Sequence, residues 1–202
     1  MVSLIIPACN EEKTIGEIID RARKFVGEII VVDDGSTDNT RKTALKHRAI
    51  VISHGKNKGY IEALRTGFKH AGGDIFVTMD ADGEHDPNDI PKLVKPILED
   101  KADLVLGVRE KISFSERIIT WITRIRVNVL DASTGFRAIR REIALKMKLK
   151  GKCTCGTFIL EAAKLGARIT QIKIKTRKRR YGGSRIRKKH FIQTLIVLKE
   201  IF

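Results

Sequence analysis

The sequence contains few cysteines and few aromatic residues, and it has no long apolar run. Only 3 of its 202 residues are cysteine, too few for a disulfide framework, and the Cys153-x-Cys155 spacing is poor for zinc. We therefore expect a protein of the reducing cytoplasm. No stretch approaches the about 18 apolar residues of a membrane-spanning helix, and residues 1–7 lack the basic flank of a signal peptide. We therefore expect neither a membrane-spanning helix nor a signal peptide in this chain.

Several common catalytic motifs are also absent. The chain has no P-loop, no dinucleotide-binding G-x-G-x-x-G and no G-x-S-x-G nucleophile elbow. P-loop, dinucleotide-binding and serine-nucleophile chemistry therefore lose their main support. The histidines are scattered, and we expect them in surface or loop positions rather than as ligands. They are His47, His54, His70, His85 and His190.

Negative charge is scarce in the second half of the chain. Residues 1–100 hold 14 Lys and Arg against 17 Asp and Glu, whereas residues 101–202 hold 26 against 7, a net charge of +19. This asymmetry indicates one region for a metal or nucleotide and another for a polyanion, namely nucleic acid, an anionic membrane or a phosphorylated acceptor. Aromatic residues make up only 5% of the chain, so the stacking surfaces typical of nucleic-acid binding are scarce. A nucleic-acid-binding protein is therefore the weaker alternative, and no nucleic-acid partner is expected.

Apolar runs alternate between strand-like and helix-like patterns. Strands are predicted at 2–7, 28–33, 50–53, 74–79 and 103–108, and helices at 14–25, 38–46, 59–71 and 87–100. Later segments are an amphipathic stretch at 112–130, helices at 158–165 and 191–202, a strand at 169–175 and a basic loop at 176–190. The alternation predicts an α/β fold with a mostly parallel, Rossmann-like central sheet and helices on both faces.

Polar loops follow four of the predicted strands. They lie at 7–12, 33–38, 57–59 and 80–84. Because ligands of open α/β sheets collect at the carboxyl ends of the strands, we expect one site there.

The Asp80-Ala81-Asp82 triplet lies in the fourth of these loops. Two close carboxylates repel each other unless a cation is held near them. Mg²⁺ or Mn²⁺ takes oxygen ligands, binds substrate phosphates and neutralises charge on a diphosphate leaving group. The alternative is a helix cap ahead of Pro87, for which Asp86 alone would suffice.

Seven short motifs occur in order along nearly the whole chain. They are I-I-P-A-x-N-E-E (5–12), V-V-D-D-G-S-x-D (31–38), N-K-G (57–59), D-A-D-G-E-H-D-P (80–87), G-V-R (107–109), S-T-G-F-R (133–137) and R-Y-G-G-S-R (180–185). Together they resemble the family 2 glycosyltransferases of the GT-A fold, and within them the dolichyl-phosphate mannose and polyprenyl-phosphate glucose synthases. The resemblance implies one GT-A nucleotide-diphospho-sugar transferase domain over residues 1–202. Within it, residues 1–108 would bind nucleotide-sugar and metal, and the basic residues 109–202 would face the acceptor and the membrane.

The resemblance also implies roles for individual residues. The residues expected to bind the nucleotide-sugar are Pro7, Asn10, Glu11, Asp33, Asp34, Lys58, Asp80, Ala81 and Asp82. Metal binding falls on Asp80, Asp82 and Glu84, the last at a position where these synthases often have glutamine. Acceptor and phosphate binding falls on Arg109, Ser133, Arg137, Arg180, Ser184 and Arg185. Catalytic roles fall on Asp82, Arg109 and Asp131, the last as a candidate base whose alternative role is capping or pairing with an arginine.

The activity implied by the resemblance is metal-dependent, inverting hexosyl transfer. The donor would be GDP-mannose or UDP-glucose, the metal Mg²⁺ or Mn²⁺, and the acceptor a polyprenyl (dolichyl) phosphate. An acceptor oxygen that is already anionic requires alignment and charge stabilisation rather than a strong base. The alternative within the family is a soluble saccharide or protein acceptor.

The basic second half is then expected to lie peripherally on the cytoplasmic face of an anionic membrane. Eight of the fifteen residues at 176–190 are Lys or Arg. Each basic residue near an anionic leaflet contributes about 1 kcal/mol. The amphipathic stretch at 112–130 and the segment 191–202 would lie on the lipid surface. The alternative is that both segments pack on the sheet.

Overall fold

The fold is built on a seven-stranded sheet. In this computed structural model, residues 1–151, 153–177 and 187–201 are described. The strands are β1 (Val2–Ala8), β2 (Glu28–Asp33), β3 (Ile50–Ser53), β4 (Ile75–Thr78), β5 (Leu104–Arg109), β6 (Arg137–Arg140) and β7 (Ile169–Ile174). Their order across the sheet is β3-β2-β1-β4-β6-β5-β7.

The sheet is mostly parallel, as the sequence predicts. β1 pairs in parallel with β2 and β4, and β5 pairs in parallel with β7. β6 lies antiparallel between β4 and β5. The sequence pattern does not predict β6, because four residues flanked by arginines carry too little strand signal. Pairing on both sides makes this segment a strand, with Ala138 and Ile139 buried on opposite faces.

Eight helices are described around the sheet. They are α1 (Ile15–Ala22), α2 (Thr40–Lys46), α3 (Tyr60–His70), α4 (Ile90–Leu98), α5 (Phe114–Thr123), α6 (Arg141–Lys146), α7 (Thr157–Lys164) and α8 (Arg187–Ile201). The amphipathic stretch at 112–130 is helical only over α5, and α6 was not expected. The loop prediction at 176–190 is wrong for 187–190, which begin α8. Residues 178–186 of that loop lie outside the described residues.

Alternate residues of the central strands build two cores. On β1, Ile5 packs on the face covered by α3, whereas Leu4 packs on the face covered by α1 and α4, and both are fully buried. Covering both faces is what a predominantly parallel sheet requires. The prediction of helices on both faces is therefore confirmed. In the described part of the chain, no helix is both long and apolar enough to cross a bilayer.

Candidate active site

The loops after β1 and β2 are joined by hydrogen bonds. The Asn10 amide oxygen accepts from the Thr37 backbone N–H at 2.8 Å, and the Asn10 N–H donates to Ser36 Oγ at 2.9 Å. The Glu11 N–H donates to Thr40 Oγ1 at 2.7 Å. Pro7 lies buried in β1, opposite Val32. The structure therefore brings Pro7, Asn10 and Glu11 beside the β2 loop, where the family resemblance expects a nucleotide pocket.

Asp33 ends β2 and Asp34 follows it, and both carboxylates are buried. Asp33 accepts from Ser53 Oγ at 2.7 Å and from the Ser36 N–H at 3.2 Å. Contact between these carboxylates and a nucleotide stays a prediction.

The Asp34 carboxylate fixes the N-K-G loop. It accepts the Lys58 and Gly59 N–H groups, each at 2.8 Å, and lies 2.7 Å from His54 Nδ1. Gly59 has φ 94°, a conformation that favours glycine. The Lys58 side chain is exposed.

The Asp80-Ala81-Asp82 triplet follows β4 at the same edge of the sheet. The side chain of Asp80 is 34% exposed and lies against Gly135, where an added Cβ would be 2.2 Å from Asp80 Oδ2. A side chain at position 135 would therefore require the Asp80 carboxylate to move. Ala81 is buried, and its carbonyl accepts from Thr14 Oγ1 at 2.6 Å. Asp82 Oδ1 accepts the Glu84 N–H at 3.0 Å, which fixes the turn after the triplet.

The triplet is not needed to cap the next helical turn. Asp86 does so, since its side chain accepts the Asn88 N–H at 2.9 Å. Among the described residues, no three His, Cys, Asp or Glu side chains converge as a metal cluster. Mg²⁺ and Mn²⁺ sites often use one or two carboxylates and complete their shell with substrate phosphates and water. Asp80 and Asp82 therefore fit a metal shared with a bound diphosphate rather than an all-protein cage.

A second polar group surrounds Arg109, the last residue of β5. Arg109 Nε donates to Asp131 Oδ2 at 2.7 Å, and its Nη2 donates to Asp131 Oδ1 at 3.1 Å and to Glu116 Oε1 at 2.9 Å. Burial acts to lower the pKa of Arg109, but its bonds to Asp131 and Glu116 outweigh burial and raise it. The Ser133 N–H also donates to Asp131 Oδ1, at 2.9 Å. This geometry matches the alternative role of Asp131, pairing with a neighbouring arginine, while its role as a base stays a prediction.

Arg137 is buried, which is rare for an arginine. Its side chain is completely buried on β6, with the guanidinium carbon 4.4 Å from the centre of the Phe158 ring. Burial lowers its pKa. Tyr60, the first residue of α3, is a near neighbour, and the pKa of its phenol is raised by burial and then by the charge of Asp80.

Two histidines lie in loops, as expected, but are not at the surface. His54 and His85 are buried, and His85 Nε2 lies 3.9 Å from Asp80 Oδ2. Burial lowers the pKa of His85 to about 4, so this imidazole is neutral near pH 7. The position of His54 directly after a predicted strand, and of His85 within D-G-E-H-D-P, is the sequence signal that could have identified them. Tyr60 and Glu116 carried no comparable signal.

Three predicted acceptor residues, Arg180, Ser184 and Arg185, lie outside the described residues. The preceding Arg177 donates its N–H to the Glu84 carbonyl at 2.8 Å, beside the Asp80–Asp82 loop.

Comparison with known proteins identifies the family of this chain and its fold. Residues 3–161 match the family model described as glycosyl transferase family 2. The chain therefore belongs to this family, and its fold is the GT-A fold. The family resemblance seen in the sequence is thereby confirmed.

Two curated relatives have related names. The chain is 32% identical to the UDP-N-acetylglucosamine–dolichyl-phosphate N-acetylglucosaminyltransferase of Methanococcus voltae, over 87% of this chain and 85% of that protein. It is 36% identical to the dolichol-phosphate mannosyltransferase of Pyrococcus furiosus, over 73% of this chain but only 48% of that protein.

A solved structure supports the same fold. Glucosyl-3-phosphoglycerate synthase from Mycobacterium tuberculosis, in complex with Mn²⁺, UDP-glucose and phosphoglyceric acid, superposes with a TM-score of 0.85 at 26% identity. The match covers 98% of this chain and 78% of that one.

Proposed function

We propose that this family 2 glycosyltransferase transfers a hexose from GDP-mannose or UDP-glucose to a polyprenyl (dolichyl) phosphate, with Mg²⁺ or Mn²⁺, at the cytoplasmic surface of an anionic membrane. The carrying observation is that Asp80 and Asp82 follow β4 at the edge where the loops of β1 and β2 also meet. The relatives' names support a polyprenyl phosphate acceptor, and the Mn²⁺ complex of the synthase supports a divalent metal.

The reaction forms one bond and breaks one at the anomeric carbon of the sugar. An oxygen of the acceptor phosphate attacks this carbon from the face opposite the nucleoside diphosphate, and the carbon–oxygen bond to the diphosphate breaks with inversion. A phosphate monoester is largely dianionic near pH 7, so the attacking oxygen has no proton to lose. The protein must therefore align the two reactants and stabilise the charge of the leaving group.

The proposed roles follow from the positions of the side chains. Asp80 and Asp82, with Glu84 as the third expected ligand, would hold the metal, which would neutralise charge on the diphosphate. The loops after β1 and β2 would hold the nucleotide. The acceptor phosphate would lie toward the Arg109–Asp131 pair, and binding of this phosphate by Arg180, Ser184 and Arg185 is proposed from the family resemblance alone.

Calorimetric titration tests the donor assignment. GDP, GDP-mannose, UDP, UDP-glucose and UDP-N-acetylglucosamine would each be added in Mn²⁺ and then in EDTA. We expect metal-dependent binding of the nucleotides of one base. Absence of binding by all five would contradict the proposed function.

Transfer assays test the acceptor. With the donor that binds, we expect sugar transfer to a short polyprenyl phosphate. Transfer to 3-phosphoglycerate instead would favour a soluble phosphorylated acceptor, as in the name of the Mycobacterium tuberculosis synthase. Transfer to neither would refute the acceptor assignment.

The proposed membrane surface is an exposed apolar stripe along and just beyond α5. Phe114, Ile118, Trp121 and Ile125 are 77, 38, 69 and 55% exposed and repeat at helical spacing. Exposed basic side chains, including Arg117, flank the stripe. A second copy of this chain, at net charge +16, would bring like charges together, whereas an anionic lipid surface complements them.

Trp121 is the single tryptophan of the chain and reports on this surface directly. We expect its fluorescence to shift to the blue with vesicles containing phosphatidylserine but not with neutral vesicles. Phe114→Ser should weaken vesicle binding, whereas Leu98→Ser, at an apolar residue on α4 that is 71% exposed, should not. A blue shift that depends on protein concentration rather than on vesicles would indicate self-association and contradict lipid binding.

A further inference from the structure

His54 is a buried imidazole that bonds to two other elements of the fold. Its Nδ1 lies 2.7 Å from Asp34 Oδ1, and its Nε2 lies 3.0 Å from Thr66 Oγ1 on α3. The side chains of His54 and Asp34 are 5 and 6% exposed. Because an ionised carboxylate only accepts hydrogen bonds, Nδ1 carries the proton and is the donor. His54 therefore connects the carboxylate that follows β2 with α3.

The Asp34 carboxylate extends this connection to the N-K-G loop. Oδ1, the atom that accepts from His54, also accepts the Lys58 N–H, and Oδ2 accepts the Gly59 N–H. The χ2 torsion of aspartate has broad minima, so the two backbone donors alone leave the carboxylate some freedom to rotate. The ring of His54, which is itself held by Thr66, restricts the plane of the carboxylate and with it the position of the loop.

The N-K-G loop touches both loops in which the nucleotide pocket is expected. Asn57 Nδ2 donates to the Asp34 carbonyl at 3.1 Å and lies 3.4 Å from Cys9 Sγ in the loop after β1. At Gly35, φ is 69° and an added Cβ would lie 2.5 Å from the Asn57 backbone nitrogen, so the two backbones are in direct contact. A displacement of residues 57–59 would therefore also move the loop after β2.

We propose that His54 is a positioning residue for nucleotide binding. By orienting the Asp34 carboxylate, it holds the N-K-G loop against the loops after β1 and β2 and thereby sets the affinity for the whole nucleotide. His54 acts through Asp34 rather than on the ligand, because its side chain is buried and both ring nitrogens have protein partners. This proposal rests on the proposed function, because the ligand is the nucleotide of the same donor.

Two amide substitutions separate the two bonds of the imidazole. In His54→Asn the side-chain amide nitrogen falls near the place of Nδ1 and can donate to Asp34. In His54→Gln it falls near the place of Nε2 and keeps only the contact with Thr66. Both variants lose the ring, so a merely structural role would weaken both alike. His70→Gln is the matched control, because His70 also contacts Thr66 on α3 but is exposed.

Calorimetry in Mn²⁺ would give the Kd values of UDP and UDP-glucose and of GDP and GDP-mannose. For His54→Gln we expect the Kd of the nucleotide that binds and the Kd of its sugar conjugate to rise by the same factor, about tenfold. His54→Asn should stay within about threefold of wild type, and His70→Gln within about twofold.

Turnover supplies a second readout for the same variants. The KM of His54→Gln for the donor should rise with kcat nearly unchanged, because a displaced loop weakens ground-state and transition-state binding alike. Equal losses of affinity in His54→Asn and His54→Gln, no loss in either, or a fall in kcat at unchanged Kd would overturn the role of His54.

A measurement on the wild-type protein does not depend on the folding of a variant. In nuclear magnetic resonance with isotope-labelled histidine, the His54 ring can be identified by its contact with the Thr66 methyl group. We expect its proton on Nδ1, in slow exchange with solvent, and a shift of this resonance on saturation with the nucleotide, while His70 stays unchanged. A ring protonated on Nε2 alone, or no shift on binding, would overturn the proposal.

The outcomes separate the two proposals. If wild-type protein binds no nucleotide, the proposed function fails and the role of His54 fails with it. If the nucleotides bind but His54→Gln and His54→Asn do not differ, the role of His54 alone is overturned.

Discussion

Replacing Asp131 by asparagine tests whether this carboxylate supports Arg109 or acts as a base. The Asp131 side chain is fully buried, and it holds Arg109 through bonds of 2.7 and 3.1 Å. Asparagine has nearly the same shape and keeps one oxygen for the Ser133 N–H, but it removes the charge that faces the guanidinium. The perturbation is therefore largely electrostatic.

The expected loss of stability follows from burial. Removing one partner of a buried ion pair costs about 3–5 kcal/mol. Because Glu116 still neutralises Arg109 at 2.9 Å, we expect the lower end, about 3 kcal/mol. For a chain of this size, that corresponds to about 6–12 °C in melting temperature.

The assay combines thermal unfolding, followed by circular dichroism at pH 7, with turnover. Glu116→Gln should also lower the melting temperature and the turnover, as Asp131→Asn does, because Glu116 contacts the same arginine. The control is Glu99→Gln, at an exposed pair with Lys101, for which we expect no measurable change in melting temperature. The reasoning is refuted if Asp131→Asn abolishes turnover but keeps the wild-type melting temperature, and if Glu116→Gln has no effect. Asp131 would then act as the base.

Two further predictions concern the metal and acid stability. Asp82→Ala should abolish metal-dependent turnover without changing the melting temperature by more than about 3 °C, and a fully active variant would contradict the metal assignment. Hydrogen bonding from Arg168 holds the pKa of Asp103 well below its usual value, so this carboxylate stabilises the fold above about pH 4 and progressively less at lower pH. Asp103→Asn should therefore have a lower urea midpoint than wild type at pH 7, and the gap should narrow at pH 3. A gap of equal size at both pH values would contradict this.

The sequence by itself determined the periodic elements and the position of the acidic triplet. A strand in a parallel sheet that is covered on both faces needs apolar side chains on both of its sides. A short run such as 28–33 shows this in the sequence itself, so the strand can be predicted from local sequence alone. Asp80 and Asp82 directly follow such a strand, so their place at the carboxyl edge follows from chain order. The apolar spacing of 112–130 likewise indicated an amphipathic helix, although helix ends depend on local capping, here by Ser113 and Glu116.

Tertiary structure alone decided which polar groups meet. Arg109 is paired with Glu116 and Asp131, which lie 7 and 22 residues away, and no local pattern specifies that pairing. The insertion of β6 between β4 and β5 buries Arg137 opposite Thr78, although a four-residue run that begins and ends with arginine predicts an exposed segment. The physical reason is that periodicity records which face of an element is apolar, whereas the partners of a buried charge are set by strand order and by contacts between distant segments.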